Sequence, residues 1–199
     1  MNADRHRIYY LKKKIIFPHC VMNVALERSA SSDEMRSGDS IVTYPVRNFV
    51  DLVLYKNRTG TLSEITDISV KGQKLTLVLK GITRVSLKKI DRSQHVLHSG
   101  FEVVLPENPE HLREELRKKS QELIFLINVE ESDKLINLIN YLVDLEQMTD
   151  FISNYFVLNF RKRYSLYREH DIARRTTMLI RFIDEVIDTV KNKRRNGAK

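Results

Sequence analysis

The sequence predicts an α+β protein, an antiparallel β-barrel followed by an α-helical bundle. Three observations predict it. Between residues 61 and 87 apolar side chains recur with a period near two, punctuated by Gly60, Gly72 and Gly81, as in strands with one buried face. Further short β-rich runs flank that stretch at turn-separated intervals, the spacing of a closed or half-closed barrel. From Glu107 onward the period becomes helical and stays so. The seam is expected between Pro106 and Pro109, giving a barrel subdomain over residues 1–106 and a helical subdomain over residues 107–199.

In chain order, Tyr9-Tyr10-Leu11, the basic run Lys12-Lys13-Lys14 and Ile15-Ile16-Phe17 read as a strand ending before Pro18. The residue before a proline is pushed toward extended geometry, and proline cannot donate to a ladder. Val21-Met22-Asn23-Val24-Ala25-Leu26 restarts the apolar pattern, and residues 28–40, rich in Ser, Asp, Glu and Gly, read as a loop. Ile41-Val42-Thr43-Tyr44 is a strand closed by Pro45, and Phe49 to Tyr55 another, leading into a turn at Asn57. Over residues 61–70, Leu62, Ile68 and Val70 keep one phase while Ile65 falls out of it, which implies a bulge near Glu64. Leu75-Thr76-Leu77-Val78-Leu79 follows, Gly81 marks a bulge or corner, and Ile82, Val85 and Leu87 continue. Phe101-Glu102-Val103-Val104-Leu105 is the last strand.

The helices announce themselves by caps. Asn108 stands at an N-cap with Pro109 at the first helical position, and Leu112, Leu116, Leu123 and Ile127 recur behind them. A second helix starts at Ser132 and is expected to bury Leu135, Leu138, Ile139 and Leu142. A third follows a Thr149-Asp150 cap with Phe151, Ile152, Tyr155 and Phe156. Asn159 and Asp171 cap two more, the last a long helix with Ile172, Thr176, Leu179, Ile180, Ile183, Val186, Ile187 and Val190 along one side.

Composition narrows the function. At 199 residues, with 42% hydrophobic and 30% charged side chains, the chain can bury a core and wholesale disorder is excluded. The single cysteine, Cys20, excludes an intrachain disulfide framework and is expected to be a small core residue. The longest apolar run, Leu123 to Ile127, is too short to cross a bilayer and no signal-like core follows Met1, so a soluble, cytoplasmic protein without membrane partners is expected. Residues 1–20 carry a net +4 and residues 161–199 a net +7, which leaves −3 for the middle of a chain whose total is +8. None of the glycines stands in a phosphate-loop arrangement. His95 and His98 are the only close histidines, on a stretch read as a polar surface turn. Ser99, Lys119-Ser120, Glu114-Glu115 and Glu130-Glu131 lack the context of nucleophile or acid–base pairs. No catalytic residue, cofactor or metal site is expected.

The order of motifs resembles a known family. Leu11-x3-Ile15-Ile16-Phe17-Pro18, then Tyr55-x4-Gly60-Thr61-Leu62-Ser63-Glu64-Ile65, then Leu75 through Lys80-Gly81-Ile82-Thr83-Arg84-Val85 is similar to the N-terminal substrate-binding domain of Lon proteases. Downstream, Phe151-Ile152-Ser153-Asn154, then His170-Asp171-Ile172-Ala173-Arg174-Arg175 and the long amphipathic helix resemble the helical part of that domain. The resemblance covers most of residues 9–190 and rests on order and spacing rather than on one motif. It implies a PUA-like barrel followed by a helical bundle. Residues 28–38 are short and polar where the family usually has an amphipathic helix, which implies an altered wall of the binding groove. In that family an ATPase module and a Ser-Lys protease module follow the domain. Neither lies within these residues, so the resemblance implies a non-catalytic binding module, either stand-alone or the N-terminal piece of an ATP-dependent protease.

The implied partner is unfolded or apolar polypeptide, held by a barrel edge and an adjoining apolar groove and passed to a separate protease or ATPase. By position, the candidate contacts are Phe17, Pro18, Val21 and Met22 near the first turn, and Tyr44 and Phe49 beside the polar loop; each also suits a core. A competing reading is an RNA or polyphosphate binder, in which Arg161, Lys162 and Arg163 together with Lys193, Arg194 and Arg195 hold an anionic partner and Phe160, Tyr164 and Tyr167 stack bases. Helical spacing places those three aromatics on one side, as a core face requires. A third reading is a self-associating scaffold whose last helix pairs with a second copy.

Overall fold

The structure, a computed structural model, describes residues 4–27, 35–47, 59–90, 95–101, 106, 108–127 and 132–197. The chain divides into two units, Met1–Glu102 and Val103–Lys199. Among the described residues the first holds six strands: β1 Asp4–Lys12, β2 Val21–Glu27, β3 Ser40–Val46, β4 Thr59–Lys71, β5 Lys74–Ile90 and β6 His95–Gly100. Their order is β2-β5-β4-β3-β1-β6, and β6 returns to pair with the end of β5. Five strands thus close a ring, and β2 remains alongside the first half of β5.

All pairings are antiparallel except β1 with β3, which is parallel, so the sheet is mixed where the sequence predicts an antiparallel barrel. Parallel neighbours cannot be joined by a tight hairpin and need a crossover. Residues 13–39 supply it, carrying β2 to the β5 edge on the way.

That crossover also displaces the strand expected to run to Phe17. β1 ends at Lys12, and Lys13 adopts a positive φ of 53° while its N–H donates to Val46 O at 2.8 Å. Ile15, Ile16, Phe17 and Pro18 then pass, all buried, against the middle of β5. His19 N donates to Gly81 O at 2.8 Å, Gly81 N donates to Cys20 O at 2.9 Å, and the Thr61 hydroxyl donates to Ile16 O at 2.8 Å. A Cβ on Gly81 would lie 2.3 Å from Phe17 O, so only glycine permits this crossing. Cys20 is buried beside it. Pro45, expected to close its strand, lies inside β3 opposite Leu11; pairing with β4 stops at Thr43, so position 45 has a partner strand on one side only.

The inward phase of β4 also differs from expectation. Ile65 is fully buried, together with Thr61 and Ser63, whereas Val70 is half exposed. The β4–β5 register skips Thr66 between Ile65↔Leu79 and Asp67↔Val78, and skips Ile82 between Leu62↔Thr83 and Ser63↔Gly81. The two irregularities flank Glu64, near which a bulge is expected; the extra residue of β4 itself is Thr66, and it flips parity, so Ile65 before it and Ile68 after it reach the same core. Ile82 is likewise the extra residue of its strand and points outward.

Alternation along β1 and β3 sends side chains to two cores. Ile8, Val42, Tyr44, Val85, Leu87 and Val96 form one; Leu11, Ile16, Val24, Ile41, Ile65 and Leu77 form the other. Each fully buried aliphatic side chain contributes on the order of 1.5–3 kcal/mol. His95 and His98, expected on a surface turn, belong to β6, and His98 alternates inward with Val96 and is 2% exposed. The predicted strand over residues 49–55 lies outside the described residues, as does that over residues 101–105 apart from Phe101, which stands just past the end of β6.

The second unit contains five helices among its described residues: α1 Pro109–Ile127, α2 Ser132–Tyr141, α3 Leu145–Phe156, α4 Phe160–Arg168 and α5 Ile172–Gly197. Three predicted caps are in place. His111 N donates to Asn108 Oδ1 at 3.1 Å, Arg161 N and Lys162 N donate to Asn159 Oδ1, and Arg174 N donates to Asp171 Oδ1 at 3.0 Å. The cap of α3 is Asp144, which accepts from Gln147 N at 2.7 Å, rather than Thr149-Asp150. Leu145, Met148 and Ile152 extend the apolar stripe a turn and a half upstream, and Thr149 and Asp150 are buried inside the helix. Of the four residues expected to be buried by the second helix, Ile139 and Leu142 are buried and Leu135 is half-buried, while Leu138 faces outward. Contacts of Lys119 with Asp184 and Glu122 with Lys191, both 2.7 Å, and of Leu126 O with Arg194, make α1 and α5 run parallel.

Candidate functional site

The candidate polypeptide contacts separate sharply by burial. Phe17 and Tyr44 are fully buried and Pro18 is buried, because residues 15–18 are pinned under β5 and Tyr44 packs edge-on to Tyr10 within the ring. These three present no surface in this conformation. Val21 is 49% exposed and Met22 is half-buried against the second core. Phe49 lies outside the described residues. What remains is β2 itself: Val24 and Leu26 anchor it in the core, while Val21, Asn23 and Ala25 face solvent. Among the described residues β2 pairs with β5 alone, so its other side is an edge of the sheet. An edge strand offers main-chain donors and acceptors to an extended chain. Sequence reasoning found β2 by its apolar pattern, but its position at an edge depends on which strands close the ring.

The candidate anion contacts do not form one patch of open cations. Lys162 pairs with Glu185 and lies 4.8 Å from the Phe182 ring centroid, and Arg163 donates to Asn154 Oδ1 at 2.8 Å. Arg161 is exposed. Arg194 donates to Leu126 O, capping the C-terminal carbonyls of α1, and Lys193 and Arg195 are exposed near the end of α5. Tyr164 and Tyr167 are buried and Phe160 stacks on Tyr164, so the aromatic row of α4 faces its own core rather than a base.

Two polar arrangements went unseen in the sequence. Arg175, fully buried on α5, donates to Glu146 Oε1 at 3.0 Å and to Glu169 O at 2.9 Å, with its Nε 3.7 Å from Asp150 Oδ1. Beside it Thr149 and Thr176, both buried, bring their hydroxyls to 3.0 Å. This cluster fastens α3 and the end of α4 to α5; two adjacent arginines, Arg174 and Arg175, read alike until the fold sends one in and the other out. In the barrel, His6 Nδ1 and His98 Nε2 approach to 2.8 Å. His98 is held below the ordinary histidine value, first by burial and then by His6, with Asp4 opposing. His6 and His95 also border a cleft of about 350 Å³ with Arg5, Arg7, Asp39 and Ile41. Among the described residues no three His, Cys, Asp or Glu side chains are placed to hold a metal ion, and no helix is long and apolar enough to cross a membrane.

Exposed apolar residues elsewhere gather at helix ends. Tyr141 is 82% exposed, followed by Val143, and Leu158, 90% exposed, stands between α3 and α4. Leu138 sits one turn before Tyr141 on the outward side of α2.

Comparison with known proteins places these features in a family. Residues 6–185 match the sequence model of the ATP-dependent protease La (LON) substrate-binding domain. Among solved structures, the N terminal domain of Mycobacterium avium complex Lon protease is similar with a TM-score of 0.70 at 16% identity, over 91% of this chain and 98% of that one. A Lon N-terminal domain protein from Xanthomonas campestris gives a TM-score of 0.58 at 18% identity, over 89% and 97% respectively. At such identities the structural likeness is one of fold, a mixed sheet followed by helices. No curated protein matches the sequence.

Proposed function

Since the chain belongs to the ATP-dependent protease La (LON) substrate-binding domain family and is thus a substrate-binding module, we propose that it captures unfolded polypeptide by strand addition at β2, in the service of an ATP-dependent protease. One observation carries the reading. β2 is held on one side by seven registered pairs with β5, from Val21↔Lys80 to Glu27↔Lys74, and is an edge on the other among the described residues. A strand anchored by Val24 and Leu26 is rigid enough to template another, so the bound chain bears most of the ordering cost. Unfolded segments supply unpaired backbone groups and apolar side chains, and Val21 and Met22 give those side chains modest apolar surface. Because main-chain bonding is indifferent to sequence, such a site accepts many substrates. The exposed Leu138, Tyr141 and Val143 are a second apolar surface in the helical unit that the same experiment compares.

The test is fluorescence anisotropy with a labelled, permanently unfolded polypeptide. Val21→Lys with Ala25→Lys is expected to weaken binding about tenfold, roughly 1.4 kcal/mol, with the melting temperature unchanged, because both side chains face solvent and lysines blunt edges. Unchanged affinity in that variant, with loss in Tyr141→Ser, moves the site to the helical unit and overturns the proposal.

A further inference from the structure

The closing seam of the barrel is short and carries a buried histidine. β1 and β6 pair over only four positions, Asp4↔His98, Arg5↔Leu97, His6↔Val96 and Arg7↔His95. Across it the His6 and His98 rings lie 5.0 Å apart between centroids, and one hydrogen is shared between His6 Nδ1 and His98 Nε2 at 2.8 Å. The other nitrogen of His98, Nδ1, is buried with no hydrogen-bond partner among the described residues. The arrangement that leaves no N–H orphaned has His98 neutral, donating from Nε2 and keeping Nδ1 as a bare lone pair.

From this we propose that the His6–His98 pair is a proton-operated latch on the barrel's closing seam, held at neutral pH and released by acid. One added proton on His6 converts an N–H···N contact into two opposed N–H groups unless His98 gives up its own hydrogen to Nδ1, where nothing accepts it. A second proton sets two like charges side by side, one of them sealed from water. A proton on His98 is therefore accepted more readily by the opened seam than by the closed one. The other charges around the pair do not reverse this. On β1, Asp4 stands across from His98 and favours its proton, while Arg5 and Arg7 flank His6 in the chain. On β6, His95 faces Arg7. On β5, the partner of His98 is the apolar Leu87, with Lys88 and Lys89 exposed next to it. On the β3 side, Asp39 shares the cleft with His6. Burial and His6 outweigh Asp4 at His98, in keeping with the lowered proton affinity of that ring. Release frees the edge of β6 and uncovers Ile8 and Val96 of the ring's core.

The sign follows from linkage. A histidine whose affinity is lowered in the folded state contributes stability that is complete above the ordinary value of 6.5 and is lost as pH falls below it, because the open state binds the proton first. One proton taken up on opening changes the opening constant at most tenfold per pH unit. Residue-resolved amide exchange on the whole chain, corrected for its intrinsic pH dependence, tests this. Protection of those amides of residues 4–7 and 95–98 that bond across the β1–β6 seam is expected to fall by up to about tenfold per unit below pH 6.5 relative to those that bond across the β3–β4 ladder. In His98→Gln, which keeps a hydrogen-bonding side chain without a titrating one, the difference between ladders is expected to be flat with pH. Nitrogen-15 spectra of the unaltered histidine rings give an independent reading should that variant not fold. Parallel loss of protection in both ladders, pH dependence that persists in His98→Gln, or two rings titrating separately at ordinary values would each overturn the latch.

Discussion

The barrel and the helical unit solve the same problem, holding a polar backbone inside an apolar core, with opposite means. The barrel's critical junction is built mostly on main chain: Gly81 exchanges backbone hydrogen bonds with His19 and Cys20, and the Thr61 hydroxyl donates to Ile16 O. The helical unit, whose backbone bonds are internal to each helix, is joined by a buried side-chain cluster in which Arg175 meets Glu146, Asp150 and the Glu169 carbonyl. Strands have unsatisfied groups on both sides and must find partners in other segments, whereas helices satisfy themselves and have only side chains with which to choose neighbours. Among the described residues the barrel retains a strand edge and the helical unit retains outward apolar side chains, so each unit presents a different chemistry at its surface.

The contrast is broken first at Arg175. Arg175→Met removes the guanidinium shared by Glu146 and the fully buried Asp150, and a loss of about 3–5 kcal/mol is expected in urea unfolding. Adding Asp150→Leu is expected to recover most of it, since an apolar pair of similar volume costs little. A single variant as stable as the parent would show the cluster to be incidental. Gly81→Ala comes next. The added methyl meets a backbone oxygen that cannot rotate away, and about 2–3 kcal/mol is expected, read as a lower unfolding midpoint with the greatest loss of amide protection around residues 16–20 and 79–82. Protection lost evenly through both units would mean that the crossing is not a local junction. Smallest is Asn159→Ala at the start of α4, expected to cost about 1 kcal/mol through the two N–H groups it caps, with Asn159→Asp close to neutral. A thermal shift of zero for the alanine would sharpen the comparison by showing that α4 is held by its packing, Tyr164, Leu166 and Tyr167, rather than by its cap.

Much of this is legible in the sequence. The change of period at Glu107, the caps at Asn108, Asn159 and Asp171, and the Gly81 corner depend on residues within a few positions of each other, and local sequence carries that information. The family could also be read, because the order and spacing of Gly60, Gly81 and the apolar runs around them survive where individual residues do not specify a motif. Thr149-Asp150 misled because a polar pair before an apolar run looks like a cap, while the helix already begins at Leu145 and buries both against Thr176 and Arg175.

By itself, then, the sequence determined two successive kinds of secondary structure, where most helices begin, and a membership in a substrate-binding family that no single residue announces. Tertiary structure alone decided that Phe17 and Tyr44 are sealed while β2 lies at an edge, that Ile65 rather than Val70 faces the core, that Arg175 goes in while Arg174 stays out, and that His6 finds His98. The physical reason is range. A period or a cap is enforced by neighbours along the chain, but burial is assigned by partners tens of residues away, and one bulge at Thr66 is enough to invert the face that a strand presents.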